Sequence, residues 1–147
     1  MITPRAEIEV DADPAAVIAF IADPVNGPAW MVALEESVKL TDGPVVAGTR
    51  FREVMRAGGQ RIEMICEVVA HEPGRRYAWK SVSEGPTDYG GSFTAEPVDG
   101  GGTRLRYEGW ATTKGDLARR EEAWGRQAQR EAEAELARIK AAVEGLG

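Results

Sequence analysis

The hydrophobic period changes once along this chain, and that change limits what it can fold into. Between about residues 5 and 111, apolar residues mostly alternate with polar ones, the period of a strand with one buried face. From about residue 116 onward the spacing lengthens to three and four, the period of an amphipathic helix. A sheet followed by one long helix can bury the apolar stripe of that helix only against the sheet. Such a packing tends to leave a hollow between the layers, suited to a small apolar molecule.

Turn residues divide the first part into elements. Residues 5–11 read as a strand, with Ala6, Ile8 and Val10 on one face. Asp13 and Pro14 open a helix as N-cap and first-turn proline, and Val17, Phe20 and Ile21 form its stripe. Asp23-Pro24 ends it and starts a second short helix. Asn26-Gly27-Pro28 then turns the chain ahead of Trp30 and Met31. Six more strands are expected over 34–40, 49–56, 60–70, 75–82, 89–97 and 103–111, with a tight turn at Gly58-Gly59 and a glycine loop at 99–102. Thr113-x-x-Asp116 resembles a capping box for the last helix. Leu117, Trp124, Ala128, Ala132, Leu136, Ile139, Val143 and Leu146 fall on one face of it.

The chain of 147 residues suits one domain, 1–147, with a core large enough to need no disulfide or metal. Cys66 is its one cysteine and His71 its one histidine, so an intrachain disulfide is excluded and a zinc site of the usual type is not expected. No cofactor is implied. A net charge of −6 argues against nucleic acid and against anionic membranes as partners. No run approaches the roughly 20 apolar residues of a membrane span, and none resembles a signal peptide. The expectation is a cytoplasmic protein without integral membrane association.

Four segments, in this order, carry a resemblance. They are residues 17–24 (VIAFIADP) followed by Asn26, Pro28 and Trp30; Gly48-Thr49-Arg50-Phe51; Glu72-Pro73 with Arg75-Arg76; and Gly101-Gly102-Thr103-Arg104-Leu105. Together they resemble the START/polyketide cyclase-dehydrase (SRPBCC) superfamily, which also holds the plant pathogenesis-related allergens. The resemblance implies an α+β helix-grip fold: a curved seven-stranded antiparallel sheet wrapped around a long C-terminal helix, with two short helices between strands one and two. That superfamily includes lipid carriers, polyketide cyclases and aromatases, so the resemblance gives a fold without fixing a reaction.

Alternation assigns strand faces. Phe51, Glu53 and Met55 share one face of the third strand, and Ile62, Met64, Cys66 and Val68 one face of the fourth. Tyr77, Trp79 and Ser81 follow on the fifth, Tyr89, Gly91 and Phe93 on the sixth, Leu105 and Tyr107 on the seventh. The inward set, Phe51, Met55, Met64, Cys66, Tyr77, Trp79, Tyr89, Phe93 and Tyr107, is aromatic and sulfur-rich. Each alone would pass as ordinary core. Opposite the small Ala128 and Ala132, the set favours a void.

Glu53 is the informative polar residue: a lone inward carboxylate needs a partner or a raised pKa, unless a local bulge turns it outward. It is the candidate catalytic residue or ligand-orienting group. The three tyrosines offer hydroxyls either to a ligand or to backbone. Trp30 closes one end of the implied fold, by gating or by packing. Trp124-Gly125 allows a bend near the pocket mouth, with Glu121 one turn before it. His71 reads as a solvated turn residue and Cys66 as core.

Three functions compete. The first is a carrier or sensor for a small hydrophobic or aromatic, lipid- or polyketide-like molecule. The second is a cyclase, aromatase or dehydratase, a lyase or isomerase without metal, in which Glu53 and a tyrosine polarise the substrate; a perturbed buried pKa would mark it. The third is an interaction module of the chaperone-activator type, or a homodimer, using an outward apolar patch of Val54, Ile65 and Val69.

Overall fold

Local signals set the elements where the sequence places them. In the computed structural model the chain runs through β1 (Arg5–Val10), α1 (Pro14–Ala22), a 3-10 turn (Pro24–Asn26), α2 (Gly27–Trp30), β2 (Leu34–Lys39), β3 (Arg50–Ala57), β4 (Gln60–Glu72), β5 (Arg76–Ser81), β6 (Tyr89–Pro97), β7 (Thr103–Ala111), a second 3-10 stretch (Gly115–Arg120) and α3 (Glu121–Leu146). The structure describes residues 1–57 and 59–146, and the side chains of these except at 57 and 117. The expected turn at Gly58-Gly59 and the stripe position Leu117 therefore fall partly outside the described residues. Asp13 caps α1 as expected, its Oδ1 accepting from the Ala16 amide at 2.9 Å.

All seven strands form one antiparallel sheet in the order β1-β7-β6-β5-β4-β3-β2. Every neighbouring pair except β1 and β7 is consecutive in sequence. The two edge strands, β1 and β2, are those joined through the short helices. This is the helix-grip fold.

The long helix is stitched to one edge of the sheet. Gln129 accepts from the Arg5 amide at 3.0 Å and donates to the Arg5 carbonyl. The Lys140 ammonium reaches the Glu9 carbonyl, and the Glu144 carboxylate accepts from the Asp11 amide, each at 3.0 Å. The open side of β1, otherwise a row of free donors and acceptors, is covered by helix side chains. Leu136, Ile139 and Val143 of α3 enter the common core with Val17, Ile18 and Ile21 of α1.

Three expectations are corrected. The last helix starts at Glu121, after a 3-10 stretch whose N-cap is Lys114, so Thr113-x-x-Asp116 is not a capping box; the Thr113 hydroxyl instead donates to Glu121 at 3.2 Å. Leu146 is exposed rather than on the buried stripe. Val54 is only 1% exposed, which removes the centre of the expected outward patch. Its register partners are Glu36 and Glu63, and Arg52, two residues away on the same face, pairs with both, at 3.1 and 2.7 Å.

Candidate functional site

β3 and β4 pair without irregularity from Arg50 to Ala57, so alternation holds and Glu53 points inward. The nearest bulge lies in β2, between Leu34 and Glu36, and leaves Glu53 in register. At 1% exposure Glu53 is as buried as the core residue Val68. Neither oxygen has a hydrogen-bond partner. Desolvation raises its pKa to about 7; the Cys66 thiol beside it acts weakly in the opposite direction without a hydrogen bond of ordinary geometry.

The indole N–H groups of Trp30 and Trp79 are the other buried side-chain polar groups without a partner among the described residues. Native proteins leave few such groups, and each asks for an explanation. Here the explanation is spatial. All four atoms belong to residues lining one interior cavity, walled also by Ile21, Asp23, Pro24, Gly27, Met31, Leu34, Ser37, Phe51 and Tyr77. Its volume is about 20 Å³, room for roughly one water.

The cavity that holds Glu53 lies beneath the 3-10 turn and α2, and no α3 residue lines it. The inward aromatic side chains stack on one another. Trp79 stacks with Tyr77 at 5.9 Å, Phe93 at 5.7 Å and Tyr107 at 6.3 Å. Trp30 comes from α2 edge-on to Trp79 and Phe93, at 6.4 and 5.4 Å. Ala132 of α3 is buried, at 2% exposure.

Of the residues singled out from sequence, Trp30, Phe51, Glu53, Tyr77 and Trp79 line the cavity. Phe93 and Tyr107 back it through the stack. Met55, Cys66 and Tyr89 cluster outside the cavity lining, on the Cys66 side of Glu53: the Tyr89 hydroxyl lies 3.5 Å from Cys66 Sγ and 3.9 Å from Met55 Sδ. Met64 sits beside it, accepting from the Ser83 hydroxyl at 3.9 Å. Burial, with Glu53 nearby, pushes the Cys66 thiol and the Tyr89 phenol far above their ordinary ranges. Trp124 and Ala128 are half-buried on α3 and lie away from the cavity, as does Glu121. His71 is not a free turn residue: its Nδ1 lies 2.7 Å from the Val45 carbonyl.

Sequence reasoning missed Glu135. It projects from α3 toward the end of α2 and accepts the Val32 amide at 3.0 Å. Burial raises its pKa to about 7, opposed by that hydrogen bond. A helical glutamate beside the apolar Leu136 reads from sequence as solvated, and nothing in the spacing signals a contact with the segment after α2. No group of three or more His, Cys, Asp or Glu side chains is placed to hold a metal among the described residues.

Residues 1–144 match the family described as polyketide cyclase / dehydrase and lipid transport. The chain belongs to this family. Among solved structures, the TTHA0849 protein of Thermus thermophilus superposes with a TM-score of 0.82 at 21% identity, covering 99% of each chain. A START superfamily protein from Mycobacterium smegmatis gives 0.78 at 15% identity over 100% of both chains. The Zhui aromatase/cyclase from Streptomyces sp. gives 0.74 at 18% identity, covering 97% of this chain and 93% of that one. At such identities the likeness is one of fold. No functionally curated protein matches the chain. Family and fold together support a chain built to hold a hydrophobic ligand, and the site residues must be argued from their own geometry.

Proposed function

We propose that this protein binds one small apolar molecule carrying a compact polar head, as a carrier or sensor, in the cavity around Glu53. The observation that carries this reading is that the three residues with unpartnered buried polar atoms, Trp30, Trp79 and Glu53, all line one cavity. A hydroxyl or carbonyl in that space would accept from an indole N–H, and a hydroxyl would also donate to the carboxylate. Phe51, Tyr77 and Trp79 supply apolar walls. At about 20 Å³ the cavity must widen to admit such a molecule, and the cost of that widening lowers the apparent affinity.

A second reading has one observation in its favour. A buried carboxyl with a pKa of about 7 is poised for general acid/base work at neutral pH, as the cyclase or dehydratase reading requires. The interaction-module reading loses support because Val54 is buried.

Native mass spectrometry of the purified protein, with solvent extraction and identification of released molecules, tests the proposal. The expected result is a defined apolar species at one per chain, with binding weakened about tenfold or more in Glu53→Gln, equivalent to ~1.4 kcal/mol. Retained binding with lost turnover in that variant would move the weight to an enzyme. A clean ligand-free mass, with no thermal shift across lipid, phenol and polyketide panels, contradicts the proposal.

A further inference from the structure

A second, larger concavity lies outside the cavity just described. It is a groove of about 740 Å³ between α1, β2, the loop after β2 and the end of β4, with Ala19, Val25, Val38 and Val45 on its walls. This volume is within the range of ligand sites. The groove and the interior cavity share three residues, Asp23, Pro24 and Ser37, so a single layer separates them. That layer is the 3-10 turn and the seam between α2 and β2. At the seam the chain has glycine: a Cβ on Gly27 would lie 2.7 Å from Leu34 Cδ2 and 3.4 Å from Ser37 Cβ. α2 has only four residues.

Three polar side chains around the groove, Lys39, His71 and Asp23, are engaged with the backbone. Lys39 Nζ donates to the Gly43 carbonyl, His71 Nδ1 contacts the Val45 carbonyl, and Asp23 Oδ1 accepts from the Val25 amide. Val25 is 80% exposed on its wall. The two spaces are thus complementary in chemistry: unpartnered polar atoms inside, apolar surface outside.

Resting on the function proposed above, we infer that the groove is the outer half of the same binding site, and that one elongated amphipathic molecule occupies both. Its polar head meets Glu53, Trp30 and Trp79, its apolar tail lies along α1 and β2, and the segment from Pro24 to Trp30 shifts outward at Gly27–Ser37 to join the spaces. The ligand class is therefore a single-headed apolar chain or alkylated ring. A molecule hydroxylated along its length does not suit an apolar groove.

Calorimetric titration with para-cresol, para-butylphenol and para-octylphenol tests this. Affinity should rise with tail length, about fourfold for each buried methylene, until the groove is filled. Ala19→Trp and Val38→Trp replace exposed groove residues and leave the inner cavity untouched. In both variants the dependence on tail length should flatten, with para-cresol bound as by the original chain. Glu53→Gln should weaken all three phenols together. If para-cresol binds but tail length and the tryptophan variants have no effect, the inference falls and the inner site stands. If no phenol binds, both fall. If octylphenol binding responds to Ala19→Trp but not to Glu53→Gln, the groove acts alone and the single-ligand inference is overturned. It is equally overturned if sedimentation shows a dimer that Ala19→Trp makes monomeric, since the groove would then seat a second copy.

Discussion

Among the described core residues, Glu53 is the one with a buried, unpaired carboxyl group. An unpaired buried carboxylate is expensive when ionised, and the protein lowers that cost by holding the proton to about pH 7 instead of 4.5. In the pH range between those values the folded state keeps a proton that the unfolded chain has released. Stability is then fully present below about 4.5, falls as pH rises toward about 7, and stays lost above it. The shift corresponds to about 3 kcal/mol at most. Glu53→Gln should therefore raise stability by about 2 kcal/mol near pH 8 and change it little near pH 4, in urea unfolding monitored at both. A residual slope should remain, because Glu135 is shifted in the same direction. A variant less stable than the original at the higher pH would contradict this account of the site. Cys66 is fully buried with its thiol pKa raised, so alkylation should reach it only on unfolding; rapid labelling of the native protein would show the core to be open.

At the scale of elements, β6 depends on its glycines. A Cβ on Gly91 would lie 2.8 Å from the Tyr107 ring and 3.0 Å from the Trp79 ring. The missing side chain is what lets these rings lie flat across the strand. Gly91→Ala should cost about 1–3 kcal/mol in thermal or urea unfolding, because both neighbours are wedged in the stack. An unchanged stability would mean that the stack adjusts freely. α2 is held at its far end by the Val32–Glu135 hydrogen bond. Glu135→Ala should remove about 1 kcal/mol and speed amide exchange through residues 27–34, with the central strands unaffected. Exchange no faster than in the original chain would show that packing alone holds α2. Strand boundaries are legible in the sequence because alternation and turn residues agree; β6 and β7 fall where expected to the residue. The start of α3 is not, because Thr113 bonds a side chain eight residues on, a contact that spacing does not encode.

For the molecule as a whole, the sequence tells which way each side chain points but not how far apart the layers stand. Period alone assigns Glu53, Trp79 and Phe51 inward, and all three line the cavity. The size and place of that cavity depend on how Trp30 and the Trp79 stack fill space, which only the assembled rings decide. The helix stripe likewise predicts burial of Leu136, Ile139 and Val143, but not that Gln129, Lys140 and Glu144 cover the β1 edge. No helix among the described residues is long and apolar enough to cross a membrane. Among the described residues, the buried side-chain polar atoms that lack partners belong to residues of one cavity, and the central claim is that a ligand supplies those partners. The four tryptophans, Trp30, Trp79, Trp110 and Trp124, allow a direct test by their indole N–H signals in a nitrogen–proton correlation spectrum. Saturating para-octylphenol should shift the Trp30 and Trp79 signals in the direction of a new hydrogen bond and leave Trp110 and Trp124 in place. Unmoved Trp30 and Trp79 signals at saturation, or shifts confined to the other two, would contradict the account.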